Sequence, residues 1–269
     1  CMRPHSSCLS QRFRSPLLTA PSLVLTCAKS LRITRYRCVR YHTTVTSGLQ
    51  CVARLARASP HVAVIQAPLE KVEQIAQRQV NRYPSIGATH VTRSALRNVS
   101  IPAVQLVIMP PDEGTISLIL LSNAPPDDRE QWQLALDADW PLSWRNYQLA
   151  CSEKGAITWR LREAVREHYR LRINRLITGR GGKAVPGERP YQYSPQIARM
   201  EVLLLADRLH RYPGLSGVRR DVFGLAQHST RVWRSTHPGP PFPQWPTMPY
   251  LPYRQPQTAP LTDLSGGTK

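Results

Sequence analysis

The feature that most restricts the fold of this chain is a pair of apolar runs, AVQLVIM at 103–109 and TISLILL at 115–121, separated by PPDEG. Both runs are rich in β-forming residues, and the separator places Pro, Asp and Gly where a turn needs them. The pair therefore reads as a β-hairpin. The arrangement recurs at NYQLACS (146–152) and AITWRL (156–161) around EKG, with Ile157, Trp159 and Leu161 alternating against Thr158 and Arg160. Two hairpins imply an antiparallel sheet of about four strands.

Helical spacing surrounds these strands. VEQIAQRQVNRY (72–83) places Val72, Ile75, Ala76, Gln79 and Val80 on one face and stops before Pro84. The second half predicts three helices, over 162–177, 195–211 and 218–234. Ser194 caps the second, Pro195 occupies its first position, and RYPGLSG breaks the chain before the third. In the middle helix MEVLLLADRL is apolar around much of its circumference, which predicts burial between its neighbours. The fold class expected is α+β: an antiparallel sheet followed by a three-helix layer and a Pro-rich tail. The divisions expected are a basic, acid-free extension over 1–58, a sheet region over 59–161, a helical region over 162–235 and the tail over 236–269.

Charge narrows the function classes. The formal net charge is +19 and the pI about 10.5, which points to a polyanionic partner or an anionic surface. Residues 1–69 hold ten basic and no acidic side chains, 70–150 seven and nine, 151–235 seventeen and seven, and the remainder two and one. Two basic regions thus flank a slightly acidic middle. No run approaches the ~20 apolar residues of a membrane helix, so an integral membrane segment is not expected.

Five of the six cysteines (Cys1, Cys8, Cys27, Cys38, Cys51) lie in the acid-free segment at irregular spacings that fit no zinc pattern. A reducing cytoplasm is the expected location. A mitochondrial one is the alternative if the Arg-, Ser- and Thr-rich start is a transit peptide.

Elsewhere the chemistry-bearing patterns favour structural readings. Asp127, Asp128, Glu130, Asp137 and Asp139 resemble a metal site, but Asp127 followed by Glu130 is a capping-box pattern, predicting a short helix with Trp132, Leu134 and Leu136. GRGGKA (179–184) fails as a P-loop, since Ile177 stands where the first glycine belongs and Ala184 replaces the metal-binding hydroxyl. The segment reads instead as a flexible basic loop carrying Arg180 and Lys183. His168, His210 and His228 have no metal spacing and no neighbouring nucleophile, and neither a cofactor nor a metal is expected.

Helical angles sort the arginines. Arg162, Arg166 and Arg170 share a flank with Glu163 and Glu167, whereas Arg172 and Arg175 lie beside His168 with no acid at helical spacing. On the third helix Val218, Val222, Leu225, Val232 and Trp233 define the buried side, opposite Arg220, Gln227, Arg231 and Arg234. The candidate nucleic-acid contacts are therefore Arg172, Arg175, Arg180, Lys183, Arg219, Arg220, Arg231 and Arg234. The expected function is nucleic-acid binding through phosphates, DNA or RNA, in a helix-turn-helix-like mode. The alternatives are a metal-independent RNA-processing endonuclease using His168 or a tyrosine, and a structural component of a ribonucleoprotein particle.

In the tail, prolines 240, 243, 246, 249 and 252 recur every third residue, the period of polyproline II, interleaved with Phe242, Trp245, Tyr250 and Tyr253. Either the tail packs on its own domain through those aromatics, burying Trp245 and Tyr250, or it docks a protein partner.

Overall fold

Strand β1 (Arg40–His42) and helix α1 (Val45–Ala56) lie inside the segment 1–58 expected to be an extension. That expectation is corrected for residues 39–56. Thr44 caps α1 by accepting from the Ser47 N–H, and Leu49, Val52 and Ala56 fall on one face that is buried. Acid-free composition hid an amphipathic helix whose polar side carries Thr46, Gln50 and Arg54. The computed structural model describes residues 39–127, 129–178, 194–237, 239, 242 and 245–265. All belong to the unit Arg37–Lys269. Arg180 and Lys183, with the rest of GRGGKA, and prolines 240 and 243 lie outside the described residues.

The chain continues through β2 (His61–Pro68), α2 (Val72–Arg82), α3 (His90–Asn98), β3 (Gln105–Ile108), β4 (Thr115–Ser122) and β5 (Gln133–Leu134). The 103–121 hairpin forms as expected, with Val107 opposite Ile119 and the turn closed by Glu113 and Gly114 at positive φ (44° and 81°). β4 is buried on both faces. After β6 (Ser143–Trp144), β7 (Tyr147–Cys151) and β8 (Ile157–Leu161) form the second hairpin, with Leu149 opposite Trp159 and Gly155 at φ 74°.

The two hairpins do not join into one four-stranded sheet. β4 pairs on its far edge with β2 over eight residues, and β3 pairs on its far edge with β1, in parallel. A strand has only two edges to pair, so none remains for β7. The result is a mixed six-stranded sheet in the order β5-β2-β4-β3-β1-β9, where β9 is Thr258–Pro260, and a separate antiparallel sheet β6-β7-β8.

Among the described residues the short helix expected after Asp127 does not form either. Gln133 and Leu134 pair with β2, while Asp127 and Glu130 accept the Tyr83 hydroxyl at 3.0 and 2.5 Å and Glu130 pairs with Arg82. Tertiary partners thus take the carboxylates that a capping box would have used.

The helical half comprises α4 (Glu163–Thr178), α5 (Pro195–His210) and α6 (Ser216–Thr236), near their expected bounds, and α7 (Thr262–Ser265) follows β9. Ser194 accepts from the Ile197 N–H at 3.4 Å, as its capping role requires. α5 is not enclosed as expected. Val202, Leu205 and Leu209 are buried, but Ile197, Met200 and Leu204 are exposed, because α4 and α6 cover one stripe only. Among the described residues no helix is long and apolar enough to cross a membrane.

The expected boundaries at 161 and 235 separate no independent cores. Leu49, Leu149, Trp159, Val202, Val218 and Trp245 belong to one apolar cluster spanning strands, helices and tail. Its central joint is α6 against β8. A Cβ on Gly217 would stand 2.4 Å from the Trp159 carbonyl oxygen, so the helix start touches the strand only because that residue is glycine. Asp221 completes the joint: buried, it accepts from Arg160 at 2.7 and 3.1 Å, from the Leu161 N–H at 2.8 Å and from Arg166 at 3.3 Å.

Candidate nucleic-acid interface

α6 presents two unlike sides. Val218, Val222, Leu225, Ser229 and Trp233 are buried, as the apolar spacing requires, and Asp221 faces β8 and α4 on the adjoining flank. Arg220, Gln227, Arg231 and Arg234 are exposed on the opposite side.

The tail returns along α6, from Trp233 on its buried side to the margin of the open one. Phe242 packs 5.0 Å from the Trp233 ring, and Trp245 and Met248 are buried, so Trp245 anchors the tail on its own domain. Tyr250 does not: 59% of it remains exposed, because the chain has by then passed the edge of α6. The course of the tail is fixed by hydrogen bonds. His210 bridges the Ala206 and Pro246 carbonyls at 2.6 Å each, Leu251 N–H donates to Gly214 O at 3.2 Å, and Gln50 donates to Pro252 O at 3.2 Å.

Between α6 and residues 245–248 lies a groove of about 810 Å³. Arg219, Arg220, Arg231 and Arg234 all line it, together with Phe223, which is 61% exposed, and Trp245. The buried indole Nε1 of Trp245 has no hydrogen-bond partner among the described residues. Arg219 donates through Nε to Met248 O at 3.0 Å, and its guanidinium lies 5.5 Å from the Tyr250 ring centre. Arg220 is paired, contrary to its isolation along the helix, since Glu153 from the β7–β8 turn reaches it at 2.6 Å. No carboxylate among the described residues pairs with Arg219, Arg231 or Arg234.

The remaining sequence-selected arginines are elsewhere. Asn174 faces α6, with its Oδ1 2.8 Å from His228 Nε2, whereas Arg172 lies on the flank of Tyr169, whose hydroxyl meets that of Tyr212 at 3.0 Å. Arg172 and Arg175 therefore stand apart from the groove. Arg166 and Arg170 pair with Glu163, and Arg170 also with Glu167, as their spacing implies. Arg162 instead donates to the Arg145 carbonyl at 3.4 Å.

The histidines are engaged in packing. His168 abuts the Tyr169 ring, and burial, with Arg231 and Arg170 nearby, holds the His228 pKa below the usual histidine value. Among the described residues no three His, Cys, Asp or Glu side chains gather as a metal site.

Two features of the site escape sequence reading. Phe223 sits at the margin of an otherwise basic face, and the neutralising role of Asp221 depends on β8 and α4, which adjoin it only after folding. The one available signal was that Asp221 is the only acidic residue of α6. Comparisons with protein-family models, curated proteins and solved structures gave no match for this chain.

Proposed function

We propose that this protein binds nucleic acid, holding phosphates in the groove between α6 and the tail. The observation that carries the reading is that Arg219, Arg231 and Arg234 converge on one groove without carboxylate partners among the described residues. Unneutralised arginines on one helix repel one another, and phosphate oxygens relieve that repulsion while accepting bidentate hydrogen bonds. Arg220 contributes when Glu153 yields it. Arg172 and Arg175 form at most a second basic area on α4.

Salt dependence tests this directly. Each phosphate contact adds roughly 0.9 to the slope of log affinity against log salt on duplex DNA, and roughly 0.7 on a single strand. Replacing Arg231 and Arg234 by glutamine is expected to lower the slope by about one to two and to weaken binding across sequences alike. Arg170→Gln removes an arginine already paired with two glutamates and is expected to leave the slope unchanged. Equal slopes in all three proteins, or no binding by the unaltered chain at low salt, would overturn the proposal.

A further inference from the structure

The geometry points to a single-stranded ligand, held on a track of arginines and exposed aromatic rings that runs from the α6 groove over the tail to α1; this rests on the nucleic-acid reading above. A second hollow, of about 340 Å³, adjoins the first at Ser216, which lines both. Its walls include Arg54 and Arg57 of the α1 end and Tyr250 and Tyr253 of the tail. The Arg54 guanidinium lies 5.4 Å from the Tyr253 ring centre, just as Arg219 lies 5.5 Å from that of Tyr250. From one end to the other the order is Arg54 with Tyr253, Tyr250 with Arg219, then Phe223, and finally Arg231 and Arg234.

Three aromatic side chains on this track are more exposed than buried: Tyr253 at 53%, Tyr250 at 59% and Phe223 at 61%. Aromatic rings left in water forgo the burial that normally stabilises them, and here they stand beside cations rather than forming an apolar patch. That combination suits neither a hydrophobic partner nor a duplex. In a duplex the bases are stacked on one another and present edges and phosphates, so exposed rings gain nothing from it. A single strand offers unpaired base faces to stack and phosphates between them, which matches rings set beside arginines.

The rings are also held in place. Each tyrosine has a guanidinium against it, and hydrogen bonds from Gln50, Leu251 and Arg219 fix the intervening backbone. The α6 portion from Arg219 to Arg234 alone covers about 22 Å at 1.5 Å per residue, room for several nucleotides.

The test measures the full chain against a labelled single-stranded RNA of about 15 nucleotides and a duplex of the same length at fixed salt. The single strand is expected to bind more tightly. Leucine at Tyr250 and Tyr253 together keeps apolar bulk but removes the aromatic faces. It is expected to weaken single-strand binding about tenfold or more while leaving duplex binding and the salt slope unchanged. Phenylalanine at both positions is expected to restore affinity, which separates loss of stacking from loss of fold. If the leucine variant binds the single strand as well as the unaltered protein does, or if the duplex is preferred throughout, the track is overturned while the nucleic-acid reading stands. If neither ligand binds the unaltered chain, that reading fails first.

Discussion

Arg160 and Arg166 on one side of α6, and Arg231 and Arg234 on the other, have the same chemistry and opposite surroundings. The first pair converges on Asp221, whose side chain is only 2% exposed, and locks strand, helix and helix together. The second pair lies exposed along a groove with no carboxylate partner among the described residues. α6 has a single acidic residue, and the helix turns it inward. Charge adjacent in sequence is therefore a poor guide to charge neutralised in space: Asp221 follows Arg220 directly yet serves arginines from β8 and α4.

The largest effect should come from breaking the inner half of this contrast. Asp221→Ala strips Arg160 of its carboxylate partner, leaves Arg166 with Glu163 alone and orphans the Leu161 N–H. Removing one partner of a buried ion pair costs about 3–5 kcal/mol, so the urea midpoint is expected to fall steeply. Arg231→Gln, on the outer side, is expected to change the stability by no more than about 0.5 kcal/mol. Similar losses from both would show that the two sides of α6 do not differ as described.

A smaller effect sharpens the same contrast between enclosed and open polar groups, at the far end of the tail. His42 is buried, with Nδ1 2.7 Å from Ser47 Oγ, which in turn accepts the Gln257 N–H at 2.9 Å. Burial, and secondarily the Arg54 charge, lowers its pKa from 6.5 to about 4. The unfolded chain therefore takes up this proton more readily than the folded one. The stabilisation is complete above about pH 6.5 and is lost progressively as pH falls towards 4, amounting to at most about 3 kcal/mol. Unfolding at pH 7.5 and at pH 4.5 is expected to show this drop in the unaltered chain and a reduced drop in His42→Gln. An identical pH dependence in both would remove His42 as its source.

Local patterns were legible where local interactions decide. Both hairpins have their turn glycines at positive φ, the helices of the second half start and stop near their expected residues, and Ser194 caps as its position demands. The apolar side of α6 and its four outward polar residues followed from helical period alone. Partner choice between elements was not legible. Nothing in residues 103–121 says that β2 and β1 will occupy the outer edges of that hairpin, and nothing in 45–56 announces Trp159 as the donor to the Leu49 carbonyl. The capping box failed for the same reason, since Tyr83 and Arg82 compete for Glu130 from 47 and 48 residues away. Of the candidate arginines, those on α6 converge because one rigid helix carries them all, whereas Arg172 and Arg175 depend on how α4 is rotated against α6.

The smallest effect concerns Arg220, the intermediate case, exposed like the outer arginines but paired like the inner ones. Its bridge to Glu153 spans 2.6 Å between side chains that are 54% and 78% exposed, so solvent screens it. Exposed bridges contribute about 0–1 kcal/mol, and Glu153→Gln is expected to shift the unfolding midpoint hardly at all. Its consequence for binding has the opposite sign. With Glu153 neutral, Arg220 no longer has to leave a carboxylate to meet a phosphate, and the local field in the groove becomes more positive. Affinity at low salt is therefore expected to rise severalfold, with the gain fading as salt screens the charge. If Arg220, already lining the groove, meets a phosphate once released, the double variant Glu153→Gln with Arg220→Gln should bind more weakly than Glu153→Gln alone. Equal affinity in these two variants would place Arg220 outside the binding surface and confine the outer set to Arg219, Arg231 and Arg234.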